Sequence, residues 1–361
     1  MNTQTNAATP AEKIILKCRE LYSRYGYRHF LMSKFEDYDL YADNKSFLRS
    51  DSVLTFTDRS GRLKALKPDV TLSIVKNLGE DEALPVKVFY NENVYRPADG
   101  GKEFSEIMQI GLESIGTDDL YSTAEVIMLA EKSLSEISDS HILDVSHIGL
   151  LSELISGAEL DGSAKTALTD AIRRKSTSAI KNAVSDEVLA DKLCRLTSEC
   201  TTLSKAIPVI AELLPNSEAL AELRGICDIL ECLGLSEHVY FDFSLLGDLS
   251  YYNGIIFQGF VNGAPSSVLS GGRYDPLLKR FGRSCGACGF AIYLDRLTAL
   301  ESGSHENDAD ILLIYGENDS PVSVAKAVSE LISKGNTVLT ARSTPDGMRF
   351  GKIINISEVT L

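Results

Sequence analysis

Residues 86–116 constrain this chain more than any other stretch. VKVFYNENVYR and EIMQIGLESIG are two long alternating runs joined by the loop Pro97–Lys102, a pattern that predicts an antiparallel pair of strands. On the second run Met108, Ile110, Leu112 and Ile115 are apolar, while Gln109, Gly111 and Glu113 share the opposite face by the strand period of two. A Gln and a Glu four residues apart, with glycine between them, leave space for a small polar ligand. The other reading is a solvated sheet face. Arg96, at the end of the first run, points into the same region.

Around this pair the chain reads in order. Residues 1–9 are small and polar, which predicts a disordered start. Thr9-Pro10 is an N-cap followed by a first-turn proline. It predicts a helix to Tyr25, with Ile14, Ile15, Cys18 and Leu21 on one face and Gly26 as its stop. Leu54–Thr57 and Leu63–Leu66 form a hairpin about the turn Asp58–Gly61. Lys67-Pro68-Asp69-Val70-Thr71 opens a helix ending near Asn77, and Asp69 reads equally as its cap and as a ligand group. A helix and then a strand, HILDVSHIGL, follow over 120–150, with His147 as a helix-cap or core histidine. Residues 150–238 are helical in texture throughout, predicting about five helices inserted within a core that spans 10–300. A polar linker, 301–308, leads to a small α/β unit at 309–361: strand Ala309–Tyr315, helix Pro321–Ser333, strands Thr337–Thr340 and Lys352–Ile356.

Charge and cysteine usage narrow the function classes. The net charge is −15, against a large phosphate-binding surface though not against a local basic pocket. An odd number of cysteines, seven, with no secretory signal before them, predicts reduced thiols in a cytosol. Cys285-Gly-Ala-Cys288 has metal-ligand spacing but no second pair to complete a zinc site, so its reading is structural. No apolar run approaches the roughly 20 residues of a membrane span.

Residues 241–297 hold the densest set of side chains that chemistry could use: the paired Tyr251-Tyr252, the run Ser270-Gly-Gly-Arg-Tyr-Asp275, and a strand-to-helix passage ending in Asp295-Arg296. Here the chain resembles the catalytic core of class II histidyl-tRNA synthetases, over roughly 14–300. YYNGIIF at 251–257 and SGGRYDPLLKRFG at 270–282 are similar to that family's two histidine-specific signatures. LKPDVT at 66–71 resembles its Leu-Arg-Pro-Glu-Gly-Thr segment, and 95–113 and 289–297 stand where its motifs 2 and 3 stand. The resemblance implies an α+β fold: a class II core with an antiparallel sheet flanked by helices, a helical insertion and a truncated α/β C-terminal unit.

The same resemblance implies a histidine pocket made of Asp69, Thr71, Arg96, Gln109, Glu113, Tyr251, Tyr252 and Tyr274. The residue types suit free histidine. Carboxylates pair with the α-ammonium and the imidazole N–H, and tyrosines wall the ring. The positions for chemistry depart from the family. Gly247 stands where the synthetases carry a catalytic arginine, beside Asp248, and loss of such a clamp costs several kcal/mol of barrier. Ala98 replaces an ATP-contacting Glu, Tyr293 replaces a small glycine, and Ser33 replaces the motif 1 proline. Arg296 is kept and reads equally as a structural arginine.

A histidine pocket without the chemistry is similar to the regulatory subunits of ATP phosphoribosyltransferase. That resemblance implies a non-catalytic chain with no cofactor or metal, binding L-histidine and no tRNA, in the cytoplasm and off the membrane. Its partner would be the short-form catalytic subunit, in a hetero-octamer that runs the first step of histidine biosynthesis and is inhibited by histidine. Self-association would use residues 27–60 of the synthetase-like core. The competing expectations are an active histidyl-tRNA synthetase and a histidine-binding module serving another partner.

Overall fold

A reciprocal cap opens the first helix, α1 (Pro10–Arg24): the Thr9 side chain accepts from the Glu12 amide and Glu12 accepts from the Thr9 amide. The computed structural model describes residues 9–48, 52–79, 83–97, 103–116, 118–158, 160–247, 251–297 and 307–359. They fall in two compact units, 1–299 and 300–361.

In the first unit, β1 (Arg28–His29), β2 (Phe35–Asp37) and α2 (Tyr38–Ala42) precede the expected hairpin, β3 (Thr55–Thr57) and β4 (Leu63–Leu66). Its turn is held by Asp58, whose Oδ1 accepts from the Ser60 and Arg62 amides. Helix α3 (Val70–Asn77) follows, then β5 (Val86–Pro97) and β6 (Phe104–Ile115), which pair antiparallel from Val86↔Ile115 to Pro97↔Phe104. Helix α4 (Leu120–Ile137) and β7 (His141–His147) lead to six helices: α5 (Ile148–Ile155), α6 (Gly162–Arg173), α7 (Thr177–Ala183), α8 (Glu187–Ser198), α9 (Leu203–Leu213) and α10 (Glu218–Cys232). A strand, β8 (Cys200–Thr202), separates α8 from α9. The unit closes with β9 (Val239–Asp242), β10 (Ile255–Val261), β11 (Leu269–Arg273), α11 (Asp275–Arg280) and β12 (Ala287–Tyr293).

Nine strands form one sheet in the order β1-β5-β6-β12-β11-β10-β7-β9-β8. It is antiparallel except for β1 against β5 and β7 against β9, which are parallel. The sheet is therefore mixed rather than purely antiparallel. Its back face carries Phe89, Ile110 and Leu112 into an apolar core shared with Tyr22, Val126 and Leu129 and continuous with Leu193, Leu223 and Ile226 of the later helices. The front face carries Tyr90 and Ile115 into a second cluster with Ile74, Val75, Tyr274 and Leu277.

Three expectations need correction. The 150–238 stretch is not helical throughout, because β-branched Thr201 and Thr202 pair with β9. The strand after α4 stops at His147, whose Nδ1 accepts from the Gly149 amide and caps α5, so the cap reading of this histidine holds. Ile115 belongs to the Glu113 face, as the period of two requires, and is buried in the front cluster.

The second unit pairs β13 (Ala309–Ile314) in parallel with both β14 (Val338–Ala341) and β15 (Phe350–Asn355). Helix α12 (Pro321–Ser333) covers one face through Ala327 and Leu331 against Ile311, Leu313 and Ile354. The expected linker falls mostly outside the described residues.

Leu112 is fully buried between sheet and helices. Leu112→Ala should cost about 2–5 kcal/mol in urea unfolding of this unit; a loss under about 1 kcal/mol would contradict the packing described.

Candidate functional site

Register between two strands builds the floor of the site. On β6 and β12 the pairs are Glu113↔Gly289, Gly111↔Ala291 and Gln109↔Tyr293, and on the other side of β6 Tyr90 faces Gly111. Two of these positions are glycine because there is no room for a side chain. A Cβ at 289 would lie 1.8 Å from Glu113 Oε2, and one at 111 would lie 2.2 Å from the Phe290 carbonyl and 2.5 Å from the Tyr90 hydroxyl. Above the floor is a cavity of about 220 Å³, small beside the roughly 300–1,000 Å³ of drug-sized sites and so of amino-acid scale.

All eight residues expected to form the pocket line this cavity. Glu113 lies at its base, 2 % exposed. Thr71 Oγ1 donates to its Oε1 at 2.7 Å and the Tyr274 hydroxyl donates to its Oε2 at 2.5 Å. Burial pushes the Glu113 carboxyl up to about 8, with a further rise from the Asp69 charge, although both hydroxyls pull the other way. Burial likewise raises the hydroxyls of Tyr90, Tyr251 and Tyr274 well above the usual phenol value. Gln109 brings an opposite resource: it is buried, and its Nε2 donor has no hydrogen-bond partner. Such an orphan is costly unless something else accepts from it.

Asp69 is the cap of α3 and also lines the cavity. Its Oδ1 caps α3 by accepting from the Leu72 amide at 2.9 Å, while Oδ2 faces Arg96 Nη2 at 3.4 Å on the cavity wall. Arg96 Nε donates to the Pro68 carbonyl at 2.5 Å, so the arginine secures the turn that presents Asp69 and Thr71.

The tyrosine wall is positioned by a network that sequence reasoning missed. Asp275 accepts from Asn253 Nδ2 at 2.9 Å, from Arg273 Nε at 2.8 Å and from the Ala287 amide at 3.0 Å, while Asn253 Oδ1 accepts from the Asp275 amide at 3.0 Å. This ties Tyr251-Tyr252-Asn253 to Arg273-Tyr274-Asp275. Tyr251 then packs its ring 4.7 Å from Tyr252 and 5.9 Å from Tyr274. Gly272 is required beneath Tyr252, where a Cβ would come within 2.7 Å of the ring. The Asn and Asp inside the two tyrosine motifs were the available signal. Tyr90, which also lines the cavity, was missed because on an alternating strand it reads as core.

Of the positions compared with the synthetase pattern, Gly247, Tyr293 and Arg296 line the same cavity, and Ser33 does not. Gly247 sits at φ +52, and a Cβ there would come 2.1 Å from the end of the Ile256 side chain, so both backbone and neighbour favour glycine. Arg296 donates to the Ser267 carbonyl at 2.6 Å and lies over the Tyr293 ring at 4.4 Å, and the residue also lines the cavity. Ala98 and Asp248 lie outside the described residues. Among the described residues no group of three or more His, Cys, Asp or Glu could hold a metal, Cys285 and Cys288 are free thiols, and no helix is long and apolar enough to cross a membrane.

The nine-stranded sheet and this cavity define the class: a histidyl-tRNA synthetase-type core. The family described as histidyl-tRNA synthetase matches residues 3–297. The ATP phosphoribosyltransferase regulatory subunit of Caldanaerobacter subterraneus subsp. tengcongensis is 32% identical, over 89% of this chain and 87% of that one. An ATP phosphoribosyltransferase regulatory subunit/histidyl-tRNA synthetase from Bacillus halodurans shares the fold, with TM-score 0.76 at 24% identity over 98% of this chain and 96% of the other. So does a chain of the ATP phosphoribosyl transferase (HisG:HisZ) complex from Thermotoga maritima, with TM-score 0.63 at 18% identity over 78% and 96%. Within the histidyl-tRNA synthetase-like proteins, this chain belongs to the ATP phosphoribosyltransferase regulatory subunits.

Asp275→Ala would leave the Asn253 amide, the Arg273 guanidinium and the Ala287 N–H without their acceptor. It should cost about 2–4 kcal/mol in urea unfolding; a loss below about 1 kcal/mol would mean that the network does not hold the tyrosine motifs together. Glu113 carries a signed pH dependence. Its folded value of about 8 lies above its ordinary 4.5, so its contribution to stability is full below the ordinary value and is lost as pH rises toward 8. Glu113→Gln should flatten that slope in thermal melts across the window, and an unchanged slope would assign it to other groups.

Proposed function

We propose that the cavity is a sensor for free L-histidine, and that this regulatory subunit passes its occupancy to a separate, short-form ATP phosphoribosyltransferase chain as feedback inhibition. The observation that carries the reading is the environment of Glu113. A carboxyl buried among hydroxyls, with a second acid nearby at Asp69, favours a ligand that brings positive charge and N–H donors. An amino acid with an α-ammonium and an imidazole supplies both, and its carboxylate answers the orphaned Gln109 amide and the Arg296 side of the pocket. The tyrosines flank the ring. Gly247 speaks against the alternative of an active synthetase, since no side chain leaves the backbone where the family's arginine would.

The coupling to the partner is linkage: histidine stabilises one arrangement of the complex, and the effect is of the usual allosteric size, about 1–3 kcal/mol. We infer that residues 27–60 also mediate self-association. The small sheet β2-β4-β3 leaves Phe35 46% and Phe56 40% exposed, edge to face at 5.5 Å. The unit at 309–361 reads as a shortened counterpart of the synthetases' anticodon-binding domain, and the chain as one that needs no tRNA.

Calorimetry at pH 7 in buffers of different ionisation enthalpy tests the pocket. Glu113 is mostly protonated there before binding, and pairing with the ligand's cation ionises it, so histidine binding should release close to one proton. Glu113→Gln should bind at least about tenfold more weakly and release none. Wild-type affinity and proton release in that variant would remove Glu113 from the site.

A further inference from the structure

Tyr293 lines the end of the cavity farthest along β12 from Glu113. The three β12 residues on the floor grow in size from Gly289 through Ala291 to Tyr293, a distance of roughly 13 Å at 3.3 Å per residue, and Tyr293 is 3% exposed. Its ring is braced by the Arg296 guanidinium 4.4 Å away, and that guanidinium is anchored on the Ser267 carbonyl at 2.6 Å. Tyr293 cannot retreat by sliding its strand. β12 is hydrogen-bonded between β6 and β11, and the Tyr293 amide donates to the Val268 carbonyl at 2.8 Å.

We propose that Tyr293, held by Arg296, is the residue that confines this pocket to a free amino acid and excludes histidine derivatives lengthened at the carboxyl end. The proposal rests on the histidine reading above. The acidic groups, Asp69 and Glu113, draw the ligand's ammonium and imidazole N–H groups. That orientation sends the carboxylate toward the opposite end, where Gln109 Nε2 lacks an acceptor and where Gln109 stands across from Tyr293. Any atom added beyond the carboxyl carbon then meets the phenol ring. A rigid wall rejects an oversized ligand more strongly than a missing contact weakens an undersized one, because the site is close-packed. Tyr293 is a specificity-determining residue in this account and has no part in holding the ammonium or the imidazole.

The test is calorimetry on the full chain with three probes: L-histidine, L-histidinamide and L-histidyl-glycine. The amide removes the carboxylate charge without adding length, and the dipeptide carries that charge one residue farther out, so the ratio of dipeptide to amide dissociation constants reports what an added residue meets beyond the carboxyl carbon. In the wild-type chain that ratio should be at least about tenfold. Tyr293→Ala should bring it below about threefold, and Tyr293→Phe, which keeps the wall, should leave it unchanged. Tyr293→Leu gives the same reading by a milder truncation if the alanine variant fails to fold by circular dichroism. A wild-type chain that binds the dipeptide as tightly as the amide, or a ratio that survives truncation in a folded variant, overturns the proposal. A wild-type chain that binds no L-histidine overturns the histidine reading itself, and this proposal with it.

Discussion

Glu113 is buried on β6, an inner strand of a nine-stranded sheet, and both of its carboxyl oxygens accept from hydroxyls, Thr71 on one side and Tyr274 on the other. An ionised carboxylate in such a place is expensive, which is why its titration is displaced toward neutrality. Much of the surrounding structure accommodates that one group. Gly289 is glycine because a Cβ would strike the carboxyl. Helix α3 is capped at Asp69 so that Thr71, two residues on, reaches Oε1. The Gly-Gly-Arg-Tyr-Asp run turns out of β11 directly into α11, with Tyr274 at the junction so that its hydroxyl reaches Oε2.

On the proposed reading, the same cavity is a synthetase-type site turned to binding on an unchanged scaffold. Its acids, amide and tyrosines line one part of the cavity. Elsewhere on the lining Tyr293 is buried, Arg296 is engaged with Ser267 and the Tyr293 ring, and Gly247 offers backbone only. A regulatory subunit needs binding free energy that differs between two arrangements of a complex, and it needs no stabilisation of a transition state.

Much of this was legible in the chain because strand periodicity and cap chemistry are local. The 86–116 pair, the Thr9-Pro10 helix start, the 54–66 hairpin and the Asp69 cap all rest on residues within a few positions of one another, and each is where the pattern puts it. Period two also placed Gln109 and Glu113 together on one face, yet it could not say whether that face met water or protein. That depends on what packs above it, here α3 and the tyrosine turn from distant parts of the chain. For the same reason the short strand β8 stayed hidden inside a helical texture: three residues carry too little periodicity, and β9 supplies the pairing that makes them a strand. The Asn253–Asp275 link was invisible because each residue, taken alone, reads as turn chemistry. Resemblance to the synthetase signatures named residues that line one cavity; the structure gives their contacts.

The central claim is that occupancy of the Glu113 pocket is what the catalytic partner responds to. It is tested most directly by measuring phosphoribosyl transfer by a short-form catalytic chain reconstituted with this subunit, while L-histidine is titrated in. With the wild-type subunit, histidine should inhibit the assembled enzyme. With Glu113→Gln, the complex should still assemble and turn over, while the inhibition curve moves to at least about tenfold higher histidine. Equal inhibition with both subunits, in complexes of equal composition, would place histidine sensing elsewhere and contradict the account.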